Sequence, residues 1–208
     1  MARTDPTWRR QGVAIFLQRR ILEYARGEGI GPLRLWTLAK NMASIKACEK
    51  GGFKQVCEAA HIFRRLKFSK KRRIKPSSIS NTQLRSFLRS NYITKMNGYI
   101  AREWYFMKTS ERLLRRLERQ GELYGSQDCA FLVTRPEIRF EEPQSSLTIL
   151  TGPVSKSMKS AQEIAAALGA KILSSYVPYE RYQLSVAKKC HFRRSPWGYH
   201  CLVFEKRV

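Results

Sequence analysis

A glycine-containing loop runs directly into an amphipathic helix near the start of the 208-residue sequence. Gly12 and Ala14 carry little or no side chain, so a ligand can approach the backbone there. The first amides of a helix have no partner within the helix, and the helix dipole places partial positive charge behind them. Arg9 and Arg10 add cationic charge beside these amides. The pattern favours a phosphate or diphosphate site, and the alternative is an ordinary helix start in which Gly12 serves tight packing.

The elements that position this loop follow from hydrophobic spacing. Apolar residues from Val13 to Tyr24 recur at helical spacing and predict a helix over 12–26, which ends at Gly27, Gly29 and Gly31. A strand over 33–37, a helix over 43–50 that stops at Gly51 and Gly52, and a strand over 53–63 come next.

Further helices and strands are predicted in the second half of the sequence. Helices are expected over 83–89, 111–119, 161–168 and 179–189, and strands over 99–107, 128–134, 146–151, 172–177 and 199–204. The last part of this series repeats the order helix, strand, helix, strand that the first half shows. We therefore predict the α/β class, with a mixed sheet flanked by helices.

The charge of the chain is strongly positive and unevenly spread. The formal net charge is +24, and between Glu58 and Glu103 there are twelve Lys or Arg and no acid. The densest part, Arg64 to Lys75, reads as a solvated linker, and it divides the chain into domains 1–67 and 99–208 joined by a basic segment 68–98. The partner should be anionic, and one alternative function is a basic nucleic-acid-associated protein.

Two sequence blocks carry a resemblance to a known family. The first is Arg9-x-x-Gly12-x-Ala14 after the turn Asp5-Pro6-Thr7-Trp8. The second is Asn41-x-x-Ser44 followed by Glu49-Lys50-Gly51-Gly52-Phe53. In this order and at this distance, they resemble the acyl-coenzyme A loop and the following helix of the GNAT acetyltransferase superfamily.

The resemblance implies an N-acetyltransferase that transfers an acetyl group from acetyl-CoA to an amine acceptor without a covalent enzyme intermediate. The residues that it places around the coenzyme are Thr4, Arg9, Arg10, Gln11, Gly12, Val13, Ala14, Asn41 and Ser44. The backbone amides from Arg9 to Ala14 would hold the diphosphate, and Asn41 with Ser44 would contact the pantetheine or the nucleotide.

The resemblance also implies two departures from a complete enzyme. Only eight residues precede Arg9, and Met1 to Thr4 would be the end of the central strand. Either the sequence is an amino-terminally shortened version of a longer protein, which we expect, or the protein has lost the first part of the fold and with it full activity. The second half resembles a degenerate second copy, because Thr151-Gly152-Pro153-Val154-Ser155-Lys156 lacks the coenzyme pattern.

Cys48 is the one catalytic candidate, because family members commonly have a tyrosine there that protonates the departing thiolate. A thiol can donate a proton, since its reference pKa is near 8.5. The alternative role is that of a small apolar residue on the inner face of a helix.

Other constellations predict no further site. The two pairs Cys190-His191 and His200-Cys201 do not have a zinc-ligand spacing, Cys57 and His61 lie too far apart on an extended strand, and Trp104 to Phe106 fit a strand core better than base stacking. Five cysteines without a C-x-x-C pair favour reduced thiols. The sequence has neither a signal peptide nor an apolar run of eighteen residues, and we predict a cytosolic location and no membrane partner.

Overall fold

A computed structural model describes residues 5–67, 74–102, 105–126, 128–139, 141–196 and 198–208. The helices are α1 (Val13–Gly27), α2 (Met42–Lys50), α3 (Asn81–Leu88), α4 (Asn91–Lys95), α5 (Glu111–Arg119), α6 (Val154–Ala167) and α7 (Arg181–Lys189). The strands are β1 (Leu33–Leu38), β2 (Lys54–Arg65), β3 (Tyr99–Arg102), β4 (Tyr105–Lys108), β5 (Leu123–Ser126), β6 (Cys129–Val133), β7 (Glu137–Arg139), β8 (Glu142–Thr151), β9 (Ile172–Pro178), β10 (Arg193–Arg194) and β11 (His200–Lys206). The predicted α/β class, with a mixed sheet flanked by helices, is confirmed.

The chain divides into two compact units. Unit 1 contains residues 1–57 together with 201–208, and unit 2 contains residues 58–200. The sequence reading placed its boundaries at 67 and 98 instead, and those domain limits stay a prediction.

Unit 1 is built on an antiparallel ladder of β1 and β11, in register from Leu33↔Lys206 to Leu38↔Cys201. Helices α1 and α2 pack on it through a small apolar core. The core consists of Leu22, Ile45, Cys48, Phe53, Leu202 and Phe204, with Leu33, Leu35 and Ala39 at its edge.

The side of α1 that faces this core differs from the one that the apolar spacing marks. Leu22 and Ala25 are buried, whereas Phe16, Leu17, Ile21 and Tyr24 are between 48% and 64% exposed. The helix was predicted correctly, but its apolar stripe does not face the β1–β11 ladder, because the ladder is covered by the neighbouring side that carries Leu22 and Ala25.

Unit 2 contains the strand order β2-β9-β8-β6-β5. The β8–β9 pair is parallel, and the other pairs in this series are antiparallel. Helices α3 and α5 bury Leu84, Phe87, Leu113, Leu114 and Leu117 in a core that also holds residues of β5, β6 and β8.

Three sequence predictions in unit 2 need correction. The single strand expected over 99–107 is an antiparallel pair, β3 and β4, in which Arg102 is opposite Tyr105. Helix α6 begins at Val154 rather than at 161, and the elements α4 and β5 were not predicted. Trp104, which was considered for base stacking, lies outside the described residues. Phe106 is buried, and its ring packs edge-on against that of Tyr176 with the ring centroids 5.0 Å apart.

None of the helices within the described ranges reaches the length and apolarity that a bilayer crossing requires. All five cysteines are free and buried. In the same described ranges, no three side chains of the metal-ligating types come together.

Candidate anion site at the start of helix α1

The loop before α1 begins with a short 3₁₀ turn, Pro6–Trp8. Asp5 fixes this turn, because its carboxylate accepts hydrogen bonds from the hydroxyl and from the backbone N–H of Thr7, the latter at 2.9 Å. These bonds lower the pKa of Asp5 below its ordinary value, the hydroxyl bond having the larger effect. The turn is therefore fixed locally although it is exposed to solvent.

Two residues with left-handed backbone conformation reverse the chain between this turn and the helix. Arg10 has φ of 66° and Gly12 has φ of 79°. The Gln11 side chain donates to the carbonyl of Thr7 at 3.0 Å, which ties the loop to the 3₁₀ turn. Gly12 is the N-cap of α1, and its carbonyl accepts the first helical bond, from the N–H of Phe16 at 2.9 Å.

The backbone amides at this helix start are available to a ligand. Within the residues that the structure describes, no hydrogen-bond acceptor meets the N–H groups of Gln11, Gly12, Val13 and Ala14. Among the described residues other than its chain neighbours, none has an atom within 4 Å of the place where a side chain on Gly12 would begin. Four unpaired donors at the positive end of a 15-residue helix form a site that favours an anion.

The structure brings most of the predicted coenzyme residues into this one loop. Arg9 to Ala14 are consecutive and exposed, except that Val13 is partly covered. Thr4 lies outside the described residues.

Asn41 and Ser44 lie on the other helix of unit 1. Asn41 is the N-cap of α2, and its side-chain oxygen accepts from the N–H of Ser44 at 3.2 Å. The capping bond uses the oxygen of Asn41, which leaves its amide nitrogen and the hydroxyl of Ser44 as the groups that a ligand could meet.

Cys48 lies in the core of unit 1. It is 5% exposed and packs with Leu22, Ile45 and Phe53. Burial, and secondarily the negative charge of Glu49, raise the pKa of its thiol. The thiol is therefore held in the protonated form, and it packs in the way that the sequence allowed for a small apolar residue.

The end of α2 is fixed by two glycines. Phe53 donates its N–H to the carbonyl of Cys48 at 3.0 Å, and Gly52, with φ of 76°, donates to Glu49 at 2.9 Å, which is a Schellman motif. The ammonium group of Lys206 donates to the carbonyl of Gly51 at 2.7 Å. A cation at this end of the helix is favoured by the dipole and holds α2 to β11.

In unit 2, strand β8 leads into α6, and a glycine, Gly152, lies before this helix as well. The conformation is again left-handed, with φ of 90°. A side chain on Gly152 would meet the carbonyl oxygen of Asp128 and the Cα of Cys129, the latter at 2.7 Å. Backbone at 128–129 therefore covers the start of α6. Among the described residues, the start of α1 has no such cover.

In unit 2, backbone carbonyls in the parallel strands β8 and β9 also accept hydrogen bonds from side chains of the same unit. Their register runs from Gln144↔Ile172 to Leu147↔Ser175, although both strands continue further. Around this point, Ser175 donates to the carbonyl of Leu147 at 2.9 Å and Tyr92 donates to that of Tyr176 at 3.0 Å. Ser90 donates to the carbonyl of Leu150. Side chains of unit 2 thus bond to these backbone carbonyls.

Sequence reasoning missed three residues that shape the site in unit 1. Asp5 was seen only as part of a turn motif, although an Asp two residues before a Thr is a recognisable Asx-turn signal. The left-handed conformation of Arg10 has no sequence signal, because arginine rarely adopts it. Gln18 has a buried side-chain oxygen without a hydrogen bond among the described residues, beside Gly51, and its place within a polar stretch of α1 gave no indication of burial.

Residues 3–53 match the family model described as acetyltransferase (GNAT) family. This segment contains the loop, α1, β1 and α2. No curated protein matches the chain.

Solved structures share the fold of the whole chain at low sequence identity. A proposed acetyltransferase from Thermoplasma acidophilum is 14% identical, with a TM-score of 0.59 over 98% of this chain and 66% of its own. A GCN5-related N-acetyltransferase from Sphaerobacter thermophilus is 9% identical, with a TM-score of 0.56 over 97% of this chain and 70% of its own. A tandem GNAT protein from the clavulanic acid biosynthesis pathway is 10% identical, with a TM-score of 0.50 over 97% of this chain and 72% of its own. The chain thus spans slightly less than two thirds of the length of the Thermoplasma protein.

Proposed function

We propose that this protein, which matches the GNAT family model over residues 3–53 and shares the fold of GNAT structures, is an N-acetyltransferase that uses acetyl-CoA as the donor. The observation that carries the proposal is the open start of α1, where the amides of Gln11, Gly12, Val13 and Ala14 have no acceptor among the described residues. A diphosphate offers several anionic oxygens to such a row of donors. Arg9 and Arg10 add positive charge at the same place.

The chain's residues fit the other demands of the donor in part. The amide nitrogen of Asn41 and the hydroxyl of Ser44 are the polar groups that we assign to the pantetheine or the nucleotide. Donor binding is assigned to unit 1 alone, because Gly152 in unit 2 is closed by Asp128 and Cys129.

The reaction is a direct transfer. The nitrogen of a neutral amine forms a bond to the thioester carbonyl carbon and gives up one proton to solvent water, the carbon–sulfur bond breaks, and the thiolate that leaves takes up a proton. The resemblance assigns the donation of this proton to Cys48, whose thiol is buried in the core of unit 1 and would have to become accessible to the thiolate to act. Because all five cysteines are free, we assign the protein to a reducing compartment and place it in the cytosol.

Donor binding is tested by thermal unfolding with three ligands. Acetyl-CoA and CoA should raise the melting temperature, and S-acetyl-N-acetylcysteamine, a thioester without the diphosphate, should not. At a ligand concentration of about 100 times Kd the stabilisation is about 2.7 kcal/mol, or roughly 5–10 °C for a chain of this length. An unchanged melting temperature with millimolar acetyl-CoA would rule out the loop as a donor site.

A further inference from the structure

Among the described residues of unit 2, helix α5 carries a row of exposed arginines. Arg112, Arg116 and Arg119 are exposed, and they recur at intervals of four and three residues along one side of the helix. The opposite side carries Leu113, Leu114 and Leu117, which are buried in the core. The row of three arginines extends about 10 Å along the helix axis.

A second pair of arginines lies on the neighbouring helix. Arg85 on α3 and Arg89, its C-cap, are both exposed. Helices α3 and α5 pack against each other through the same apolar core, and Arg85 reaches Glu111 of α5 at 3.5 Å. We call this surface, formed by Arg85, Arg89, Arg112, Arg116 and Arg119, the α3–α5 arginine face.

The carboxylates of this region do not neutralise the face. Glu118 is turned inward, where it accepts from Arg115 at 2.8 Å and from the N–H of Ile79 at 2.7 Å. Within the described part of the chain, the ion pair of Glu111 is with Arg85, and that exposed pair is weak. In the described ranges, Arg89, Arg112, Arg116 and Arg119 have no hydrogen bond or ion pair from their side chains.

A row of arginines on one side of a helix is destabilising when no anion is bound. Like charges three or four residues apart on a helix repel each other, at a cost of a few tenths of a kcal/mol per pair. A polyanion removes this cost and releases its own condensed counterions when guanidinium groups replace them. Arginine also binds phosphate oxygens with two parallel N–H donors.

We propose that the α3–α5 arginine face binds the phosphate backbone of nucleic acid. The contact is with phosphates and not with base edges, because the face offers a row of guanidinium groups on a helix surface. This function is separate from donor binding, which uses the loop of unit 1. The sequence interpretation considered the basic linker for such binding, and the proposal assigns it to a folded helix pair instead. Lys70 to Arg73 of that linker lie outside the described residues.

The test measures binding of the full chain to fluorescently labelled nucleic acid, with a 20-nucleotide single-stranded RNA and a 20-base-pair DNA duplex as probes, between 50 and 200 mM salt. The α5 variant combines Arg112→Gln, Arg116→Gln and Arg119→Gln. The matched control combines Arg19→Gln, Lys46→Gln and Lys54→Gln, which removes the same charge from exposed positions of unit 1.

The wild type should bind at 50 mM salt, and the logarithm of its affinity should fall linearly with the logarithm of salt concentration. The α5 variant should bind at least about ten-fold more weakly. The slope of its log affinity against log salt concentration should be smaller in magnitude than that of the wild type by about 2 to 3, because each lost phosphate contact removes about 0.7 to 0.9 from this slope. The control variant should lose less than about three-fold, and both variants should keep the wild-type far-UV circular dichroism and melting temperature. Saturating acetyl-CoA should leave nucleic-acid binding unchanged, and the α5 variant should keep the wild-type response to acetyl-CoA.

Four results would overturn the proposal. The first is absence of binding by the wild type at 50 mM salt, and the second is an equal loss in both triple variants, which would mean that net charge alone acts. The third is displacement of the probe by acetyl-CoA, which would place nucleic acid on the loop of unit 1. The fourth is wild-type binding by the α5 variant together with loss of binding when Lys70, Lys71, Arg72 and Arg73 are changed to glutamine.

Discussion

Gly12 and Gly152 both have left-handed backbone, Gly12 as the N-cap of α1 and Gly152 one residue before the N-cap of α6, and they differ in what surrounds them. Among the described residues, nothing lies within 4 Å of the place where a side chain on Gly12 would begin, whereas backbone atoms of Asp128 and Cys129 fill the space beside Gly152. In the part of the chain that the structure describes, the start of α1 is therefore open, and neighbouring backbone covers the start of α6. We propose anion binding at the start of α1 only.

Replacing Gly12 by alanine should weaken acetyl-CoA binding. The φ of 79° is strained for any L side chain, at a cost of about 1 kcal/mol, and relief of that strain would re-aim the amides of the loop. We expect at least a ten-fold increase in the Kd for acetyl-CoA, measured by isothermal titration calorimetry.

Gly29→Ala is the matched control for this substitution. Gly29 has φ of 60° and also has nothing within 4 Å, but it lies beyond the other end of α1. Both variants should lose about 1 kcal/mol of unfolding free energy, and only Gly12→Ala should lose donor affinity. Equal Kd values for the two variants would remove the loop from the donor site.

Replacing Cys48 by alanine tests its assignment as proton donor. We expect kcat to fall at least ten-fold, because general-acid donation contributes about 10² or more to rate. The raised pKa of Cys48 also has a defined sign: the thiol stays protonated up to a higher pH than an ordinary thiol, so loss of a protonated Cys48 should lower the wild-type kcat only at a higher pH than it would for an ordinary thiol.

Cys57→Ala controls for packing, since Cys57 is also buried, at 6% exposure, in unit 1. Each substitution should cost about 1 kcal/mol of stability. If both variants keep the wild-type kcat for acetyl transfer, Cys48 is a packing residue and another group protonates the thiolate.

The glycines of unit 1 should respond to alanine with opposite signs. Gly52→Ala should destabilise the protein by about 1–2 kcal/mol, because φ is 76° and the Lys206 ammonium lies 3.0 Å from the new carbon. Gly27→Ala should stabilise it by about 0.5–1 kcal/mol, since Gly27 is helical and has open space around it. Urea denaturation measures both, and a loss of stability in Gly27→Ala would contradict the conformational argument.

Helix α1 shows how far apolar spacing predicts structure. The recurrence of apolar residues from Val13 to Tyr24 located the helix within one residue at each end. It could not tell which side is covered, because Leu22 and Ala25 form a second apolar side that packs on the core of unit 1. Periodicity identifies an element, and the covered side depends on neighbours that are distant in sequence.

The antiparallel pair of β3 and β4 shows a second limit of prediction from sequence, which is the location of turns. Its strands join between Arg102 and Tyr105 without a Gly, Pro, Asn or Asp to mark a turn, so the run 99–107 read as one strand. Helix α6 was predicted to begin too late because Ser and Lys outnumber the apolar residues Val154 and Met158 in its first two turns, although Pro153 provides a start signal.

His61 predicts a pH dependence of stability. It is buried in unit 2, stacked on Tyr176 with ring centroids 4.4 Å apart, and burial lowers its pKa to about 4. Because the unfolded chain has the ordinary value of 6.5, it binds a proton that the folded protein does not bind between pH 6.5 and about 4. The stability that neutral His61 contributes is therefore present above pH 6.5 and is lost as pH falls to about 4, by about 3 kcal/mol in all.

His61→Phe keeps an aromatic ring beside Tyr176 and removes the titration. Urea unfolding at several pH values should show a loss of free energy between pH 6.5 and 4 that is smaller by about 3 kcal/mol than in the wild type. His191→Asn is the control, because His191 is exposed and its φ of 63° is one that asparagine tolerates. It should keep the wild-type dependence, and an unchanged dependence in His61→Phe would mean that buried carboxylates, and not this histidine, govern unfolding in acid.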